Sequence, residues 1–383
     1  MRSAVLVLLM LVFPLQGWAG QGTAAEAKAD WRDIIAQLRE RVDRVPSDHQ
    51  AREQLAIAYN NYAVTLADEG KLEKAIEQLE EGLRADPASA QLRHNLAIIY
   101  VKMGETDYNR QRLKEAKAAW EKALALDPEL PEVQAKLNQL NQELPVESNF
   151  EKLSQVYFDL RYTGQLERAS GFDLQFLLLK ARREVGSDFA YWPTRKIVVL
   201  LYTAEEFRRL RQQAPEWSAG QYDGKIRVPL PGQQLDPPAV TRILYHEYTH
   251  AVVYDLTNGL LPTWLNEGLA EHEAWKQDEP PWTFLRQALA QGRLLPWQAL
   301  SASFSSSATA TQAGLAYEQT HSIVRYLVER YRFWRIKRLL KAVREGTPFE
   351  QALQHEFRLN AARLEEHWRA WLQELLAASP PAP

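Results

Sequence analysis

Apolar residues recur at helical spacing through the first third of the chain. Residues 59–87 and 96–128 carry small and large apolar side chains in a similar order, and both segments end in Asp-Pro. The two prolines lie 41 residues apart, and a proline just past the last periodic residue ends a helix. The pattern predicts two consecutive helix pairs, with another helix in front at 31–44 and a capping helix behind at 131–144.

These two helix pairs resemble tetratricopeptide repeats, whose helices touch through small residues. Their spacing of 41 residues exceeds the usual period of about 34. The excess falls around Glu105–Gln111 and is expected to lengthen the turn or the helices there. The resemblance implies that residues 21–147 form an all-α helical repeat domain. A helix pair cannot bury its apolar face alone, so stacking is one role of the repeats. The other possible role is to form a groove that binds a peptide or protein partner, and both interpretations stay open.

The pattern changes near residue 148. Pro145 and Asn149 mark a break, after which strand-like runs alternate with helical periods. Strands are predicted at 156–162, 196–202 and 226–230, and helices at 167–186 and 204–213. Nearly all of the chain after residue 238 has helical periodicity. This order predicts an α+β domain over residues 148–376 with a mostly helical C-terminal part, so the chain is multidomain.

The two ends of the chain differ from the rest. Residues 1–20 combine a positive start, an apolar run from Ala4 to Phe13 and small residues around Ala19. This is the layout of a secretory signal peptide cleaved after Ala19, and the run is too short for a stable membrane anchor. The mature protein is expected to be periplasmic or extracellular. Residues 377–383 are expected to form a disordered tail.

Composition narrows the chemistry that the chain can perform. There are 46 Lys and Arg against 49 Asp and Glu, and no basic block, so nothing indicates a nucleic-acid partner. The sequence has no Cys, which excludes disulfides, thiol nucleophiles, cysteine zinc fingers and iron–sulfur clusters. Any metal site must therefore use His and carboxylate side chains.

One histidine pair has the spacing of a metal site. Residues 246–250 read His-Glu-Tyr-Thr-His within a segment of helical periodicity. Positions four apart lie on one face of a helix, so His246 and His250 can bind one ion together. Glu247 lies beside the first of them, where it suits the general base of a metal-assisted hydrolysis.

A carboxylate downstream supplies the third ligand. Residues 257–262 contain Asn-Gly and Pro and predict a turn, and Thr263 is expected to cap a new helix. Glu267 lies on that helix, 17 residues after His250, and can return to the metal. Two imidazoles and one carboxylate with an open fourth position are a catalytic zinc set, which predicts one Zn²⁺ per chain.

A second carboxylate follows on the same helix. Glu271 is one turn after Glu267 and shares its face. Histidines that bind zinc usually donate their other ring N–H to a carboxylate, which fixes the tautomer and the ring orientation. We therefore expect Glu271 to accept this hydrogen bond, with His246 as the donor.

These motifs resemble those of a known family. His246-Glu-Tyr-Thr-His250 is similar to the active-site helix of thermolysin-like zinc peptidases. Asn266-Glu267-Gly-Leu-Ala270 resembles the third-ligand helix of aminopeptidase-N-like enzymes. Residues 150–375 thus resemble the gluzincin, or peptidase-MA-like, metallopeptidases, which implies a zincin-like domain. The resemblance implies that zinc is bound by His246, His250 and Glu267. It also implies that Glu247 is the catalytic acid/base.

The same resemblance singles out Tyr317. Tyr317-Glu318 matches the start of a helix whose tyrosine stabilises the oxyanion in aminopeptidase-N-like enzymes, but Gln319-Thr320 replaces the family's Lys-Gly. Tyr317 is therefore either an oxyanion donor or a core tyrosine. His321 lies four residues later and is a second candidate donor, with a structural histidine as the alternative.

The function predicted from these residues is an exported zinc metallopeptidase that acts on a peptide or protein substrate. The amine-binding Gly-x-Met-Glu-Asn segment of aminopeptidases is absent, which favours an endopeptidase, or an enzyme of very narrow specificity, over an aminopeptidase. The strand near residues 222–230 is a candidate to pair with an extended substrate. The alternatives are a non-enzymatic repeat protein with an inactive peptidase-like domain, and a zinc hydrolase that acts on another bond.

Overall fold

The computed structural model describes residues 31–163, 168–210, 224–230, 237–304 and 309–378. The predicted signal peptide, residues 1–20, lies outside this part of the chain. The described residues belong to two compact units, divided in the sequence between Pro145 and Val146 and here called the N-terminal and C-terminal units. No helix in the described part combines the length and the apolar composition that a membrane crossing requires.

The N-terminal unit consists of helices. They are α1 (Trp31–Arg44), α2 (His49–Asp68), α3 (Leu72–Ala85), α4 (Ala90–Asn109), α5 (Leu113–Leu126) and α6 (Pro131–Glu147). Both helix pairs, α2–α3 and α4–α5, have a first helix of 20 residues and a second of 14. The extra residues predicted around Glu105–Gln111 therefore lengthen a helix and not the turn.

The two turns match residue for residue. Gly70 has a φ of 75° in the first turn, and Gln111, which is 41 residues later, has a φ of 58° in the second. Gly104 lies inside α4, where the Trp120 ring of α5 packs directly against it and leaves no room for a Cβ. The small residue at this position is therefore needed for helix contact, which is typical of this kind of repeat.

The C-terminal unit begins with a small sheet. Its first elements are β1 (Glu151–Ser154), β2 (Phe158–Tyr162), α7 (Arg168–Phe189), β3 (Ile197–Thr203), α8 (Ala204–Leu210) and β4 (Lys225–Leu230). The strand order is β1-β2-β3-β4, with β1 antiparallel to β2 and the other pairs parallel. Side chains alternate across the sheet, so Leu160, Val199 and Val228 face the main core and Val198 and Leu200 face a smaller one.

Helices make up the rest of this unit. They are α9 (Pro237–Thr257), α10 (Thr263–Ala274), α11 (Thr283–Ala290), α12 (Trp297–Leu300), α13 (Ala310–Tyr331), α14 (Phe333–Arg344), α15 (Phe349–Phe357) and α16 (Ala361–Ala378). A short 3₁₀ turn at Ser301–Phe304 follows α12. One core joins the sheet to α9, α10 and α13, and Trp282 and Trp368 are completely enclosed in it. The predicted fold class, a helical repeat followed by an α+β domain, is confirmed.

Several predicted boundaries are wrong. The break expected at Pro145 lies in the last turn of α6, which continues to Glu147 although the proline removes one backbone hydrogen bond there. Thr263 is the first residue of α10 and not its cap, and no side chain caps this helix. Tyr317 does not open a helix, because α13 starts at Ala310 after a capping box between Thr309 and Gln312.

Two further segments, β1 and the end of α16, differ from the prediction. The strand β1 was not predicted, since Glu-Lys-Leu-Ser offers only one apolar residue. Residues 377 and 378, which are expected to belong to a disordered tail, are helical, because α16 continues to Ala378. Residues 379–383 lie outside the described part of the chain.

Candidate functional site

The two histidines of α9 meet through one nitrogen each. His246 and His250 are one turn apart on this helix, and both are at least nine-tenths buried. Their Nε2 atoms are 3.1 Å apart and their rings are nearly perpendicular, at 86°. The local helix geometry alone accounts for this, because positions i and i+4 share a face.

A turn and a second helix bring Glu267 to the same place. After α9 the chain reverses through Asn258 and Gly259, whose φ angles of 52° and 73° are in the left-handed region that Asn and Gly tolerate best. The Glu267 Oε2 atom on α10 lies 3.5 Å from Nε2 of His246 and 3.5 Å from Nε2 of His250. These three side chains could hold one metal ion.

The triangle of ligand atoms has the size that zinc requires. With metal–ligand distances near 2.0–2.1 Å and tetrahedral angles, neighbouring ligand atoms are about 3.3 Å apart. The separations of 3.1, 3.5 and 3.5 Å between the His246, His250 and Glu267 atoms bracket this value. Nitrogen and carboxylate oxygen are also the donors that zinc accepts in a protein without Cys. The residues present therefore fit the ion.

The charges of the three groups are strongly coupled. Burial would lower the pKa of His246 and His250, but nearby carboxylates outweigh it. Glu267 raises the pKa of both histidines, and Glu271 also raises that of His246, which lies well above its ordinary value. Burial would raise the pKa of Glu267, but the two imidazoles lower it to about 2. A negative carboxylate facing two imidazoles is an environment that stabilises positive charge at the centre of the triangle.

Glu271 lies where the sequence predicts. Its Oε1 atom is 2.9 Å from Nδ1 of His246, so the imidazole N–H donates to this carboxylate. The hydrogen bond leaves the Nε2 lone pair of His246 directed toward His250 and Glu267. Nδ1 of His250 has no hydrogen-bond partner among the described residues.

Two further groups face the triangle. Glu247 is 1% exposed, and its charge contributes to the pKa shifts of both His250 and Tyr317. The Tyr317 ring lies 6.3 Å from that of His246 and packs edge-on against Phe304 at 5.1 Å. Burial raises the pKa of the Tyr317 phenol, and the carboxylates around it raise it further, so it keeps its proton at neutral pH.

The neighbours of Tyr317 in sequence anchor its helix. The Glu318 carboxylate accepts a hydrogen bond from the backbone N–H of Leu285 at 2.8 Å, in the first turn of α11. The Gln319 amide pairs with both backbone groups of Leu295, at 3.0 and 2.5 Å. Gln319, which departs from the family motif, therefore has a structural role, and sequence reasoning alone missed it.

A glycine beside the third ligand allows α10 and α13 to touch. A Cβ on Gly268 would lie 2.6 Å from the backbone oxygen of Thr320 and 2.8 Å from a methyl group of Val324. The close approach brings the Tyr317 helix next to the helix that carries Glu267. The signal in the sequence was a glycine in the middle of a predicted helix, which usually has a packing reason.

His321 lies in a different environment from Tyr317. Its ring packs against Trp282 at 5.0 Å and His272 at 6.0 Å. Burial lowers the pKa of His321 well below its ordinary value, and His272 and Arg325 lower it further. These contacts are those of a neutral histidine packed among aromatic rings, which was the structural alternative for this residue.

Two parts of the chain match known protein families. A family model described as Peptidase MA superfamily matches residues 228–374, and one described as TPR repeat matches residues 65–104. A search of curated proteins finds no significant match. The first region contains every residue of the candidate site. The chain therefore carries a Peptidase MA superfamily domain behind a TPR repeat, which confirms the fusion predicted from the sequence and supports a peptidase-like hydrolase.

Proposed function

We propose that the Peptidase MA superfamily domain is a zinc-dependent endopeptidase. The observation that carries the proposal is the triangle of His246 Nε2, His250 Nε2 and Glu267 Oε2, with sides of 3.1, 3.5 and 3.5 Å. These three residues would hold the ion. When bound, zinc would polarise the scissile carbonyl and lower the pKa of water, so that a hydroxide nucleophile is available near neutral pH.

The other residues of the site would handle protons and charge. Glu247 would take a proton from the attacking water and pass it to the leaving nitrogen, which is the work of a general acid/base. Tyr317, whose phenol keeps its proton, would donate a hydrogen bond to the oxyanion that forms on the carbonyl. Glu271 would keep the His246 ring in one orientation.

The edge strand β4 would align the substrate. β4 has a strand partner on only one side within the described residues, and it packs next to α9. An extended peptide can add to such an edge through backbone hydrogen bonds. Because that mode needs no free amino terminus, and the amine-binding motif of aminopeptidases is absent from the sequence, internal cleavage is the proposed reaction.

The test is cleavage of an unfolded protein by purified enzyme, together with metal analysis. We expect about one zinc per chain and activity that a chelator removes and zinc restores. Glu247→Gln should keep the zinc and lose at least about 100-fold in turnover, in the range for loss of general acid–base catalysis. The matched control is Glu345→Gln, at an exposed residue directly after α14, which should cleave normally.

Each other outcome has a separate meaning. Wild-type protein without zinc would contradict the metal site. Zinc-loaded protein that cleaves no peptide would favour the alternative of a repeat protein with an inactive domain, or a zinc hydrolase for another bond. Glu247→Gln that cleaves at the wild-type rate would contradict the role of Glu247.

We also propose that the protein is exported and that the TPR region recruits a substrate or partner. Export rests on the signal-peptide layout of residues 1–20, and N-terminal sequencing of the protein from a secretome should find Gly20 as the first residue. Recruitment rests on analogy with other repeats. Comparing the proteins cleaved in cells that make the wild-type or the Glu247→Gln form would identify the substrates, and recruitment predicts that these substrates bind the Glu247→Gln form through its TPR region.

A further inference from the structure

Trp275, the residue directly after α10, donates a hydrogen bond to the carboxylate of Glu271, which also contacts His246. Nε1 of Trp275 lies 2.9 Å from Oε2 of Glu271, one helical turn away. The other oxygen of the same carboxylate, Oε1, lies 2.9 Å from Nδ1 of His246. Glu271 thus accepts one hydrogen bond on each oxygen, one from Trp275 at the end of its own helix and one from His246 of α9.

The Trp275 ring is itself fixed by a residue of α9. The Arg242 guanidinium carbon lies 4.7 Å from the centre of the indole ring, within the range of a cation–π contact. Nη1 of Arg242 is also 3.5 Å from the carboxylate of Asp278, three residues after the tryptophan. Arg242 lies on α9 one turn before His246. The connected group Arg242–Trp275–Glu271–His246 therefore begins and ends on α9.

We propose that Trp275 is a positioning residue for the metal site, acting through Glu271 on His246. The proposal rests on the proposed function only in that His246 binds zinc. A carboxylate held at one oxygen can still rotate about its terminal bond, because that torsion is broad. A donor on the second oxygen fixes the plane of the Glu271 carboxylate, and so fixes the direction of the His246 ring and of its Nε2 lone pair.

The proposal predicts that zinc bound at His246 is detected at the Trp275 indole. In a ¹H–¹⁵N spectrum, the indole N–H signal of Trp275 should shift when zinc is added. Trp371 is the matched control in the same domain, because its indole N–H also donates to a glutamate, Glu329 at 3.2 Å, in an exposed pair on other helices. Each signal is assigned by its loss in the corresponding Trp→Phe variant, and the Trp371 signal should not move.

Substitution tests the same link by affinity. Trp275→Phe keeps an aromatic ring at this position and removes the N–H donor together with the five-membered ring, a loss that Trp371→Phe shares. We expect zinc affinity, measured by competition with a chelator, to fall about 3- to 10-fold, less than the 10- to 100-fold typical of a direct partner of a metal ligand. Trp371→Phe should bind zinc like the wild type.

The outcomes separate this inference from the proposed function. Wild-type protein that binds no zinc would contradict the proposed function. Zinc binding by the wild type with no shift of the Trp275 indole, or with unchanged affinity in Trp275→Phe, would overturn the positioning role alone. If Trp275→Phe does not fold, the wild-type titration decides, with the Trp275 signal assigned from Trp275→Tyr or by backbone connectivity.

Discussion

Two glutamates of α10 differ sharply in proton affinity because their neighbours differ. Burial acts on both and raises a carboxyl pKa. At Glu267 the imidazoles of His250 and His246 override it, and the pKa falls to about 2. At Glu273 the nearby Glu184 carboxylate adds to the effect of burial, and the pKa rises to about 8. At neutral pH, α10 therefore carries a charged carboxylate at Glu267 and a protonated carboxyl group at Glu273.

The pKa of Glu273 predicts a stability that falls with rising pH. The contribution is fully present below the ordinary value of 4.5 and is lost as the pH rises through about 8, because the folded state holds the proton and the unfolded state does not. Lys276 offers little relief, since its Nζ is 3.6 Å from Glu273 and pairs more closely with Asp188. Tyr245, the other titratable group here, donates to Glu184.

Glu273→Gln tests this, because the amide stays neutral at every pH. The free energy of unfolding of the variant, relative to the wild type, should rise between pH 5 and pH 8 by up to about 1.4 kcal/mol per pH unit. Urea denaturation at several pH values measures it, with the exposed Glu345→Gln as control. A difference between variant and wild type that does not change with pH would contradict the assignment of the proton to Glu273.

At Tyr317 the prediction concerns catalysis. Tyr317→Phe keeps the packing against Phe304 and His246 and removes the phenolic donor. We expect kcat to fall about 100-fold, as for the loss of one oxyanion donor, with KM and zinc content unchanged. The control is Tyr326→Phe on the same helix, whose hydroxyl contacts Tyr331. Unchanged kcat in Tyr317→Phe would make this residue a core tyrosine.

Among the elements, those with strong local signals were predicted well. The buried strand β3 and the helices α9 and α10 follow from apolar runs, a Pro-Pro start and an Asn-Gly turn. The metal triangle was accessible from the sequence for the same reason: two ligands are one turn apart, and the third follows a short turn. Such features depend on neighbouring residues only.

Elements with few apolar residues or weak periodicity were missed. β1 has little apolar content and is a strand because β2 pairs with it. The start of α13 lies in a Ser-, Ala- and Thr-rich segment with weak periodicity, where the capping box at Thr309 decides. The contact between Trp275 and Glu271 has the i, i+4 spacing of a helix, but its meaning depends on His246 in another helix.

The contact between α10 and α13 gives a prediction at the scale of elements. Gly268→Ala would put a Cβ 2.6 Å from the Thr320 backbone oxygen, and a backbone atom cannot move aside without shifting its helix. We expect a loss of about 1–3 kcal/mol in the free energy of unfolding, as for other overpacked sites, and reduced turnover because the helix that carries Tyr317 moves.

Gly314→Ala is the matched control on α13. Its added Cβ would meet only the side chain of Phe284, which can turn away, so the cost should be smaller. Denaturant midpoints of the two variants give the comparison. Equal costs would mean that the approach of α10 to α13 has no special role at Gly268.

At the scale of the whole molecule, the two units have separate hydrophobic cores. The core that includes α9, α10 and α13 lies entirely within the C-terminal unit, and the apolar clusters formed by residues 31–144 belong to the N-terminal unit. The candidate metal ligands come only from α9 and α10. Zinc should therefore stabilise one unit directly, because an ion that binds only the folded state adds RT ln(1 + [L]/Kd) to its stability.

Hydrogen exchange of the full-length protein measures this. At free zinc a thousand times the Kd, the ion adds about 4 kcal/mol to the unit that binds it. Removing zinc with a chelator should speed the slowest amide exchange in α9 and α10 and leave α2 to α5 unchanged. His246→Ala is the control and should respond to neither zinc nor chelator. Equal acceleration in the repeat helices would mean that the two units unfold together, and no change in α9 would mean that the triangle does not bind the ion.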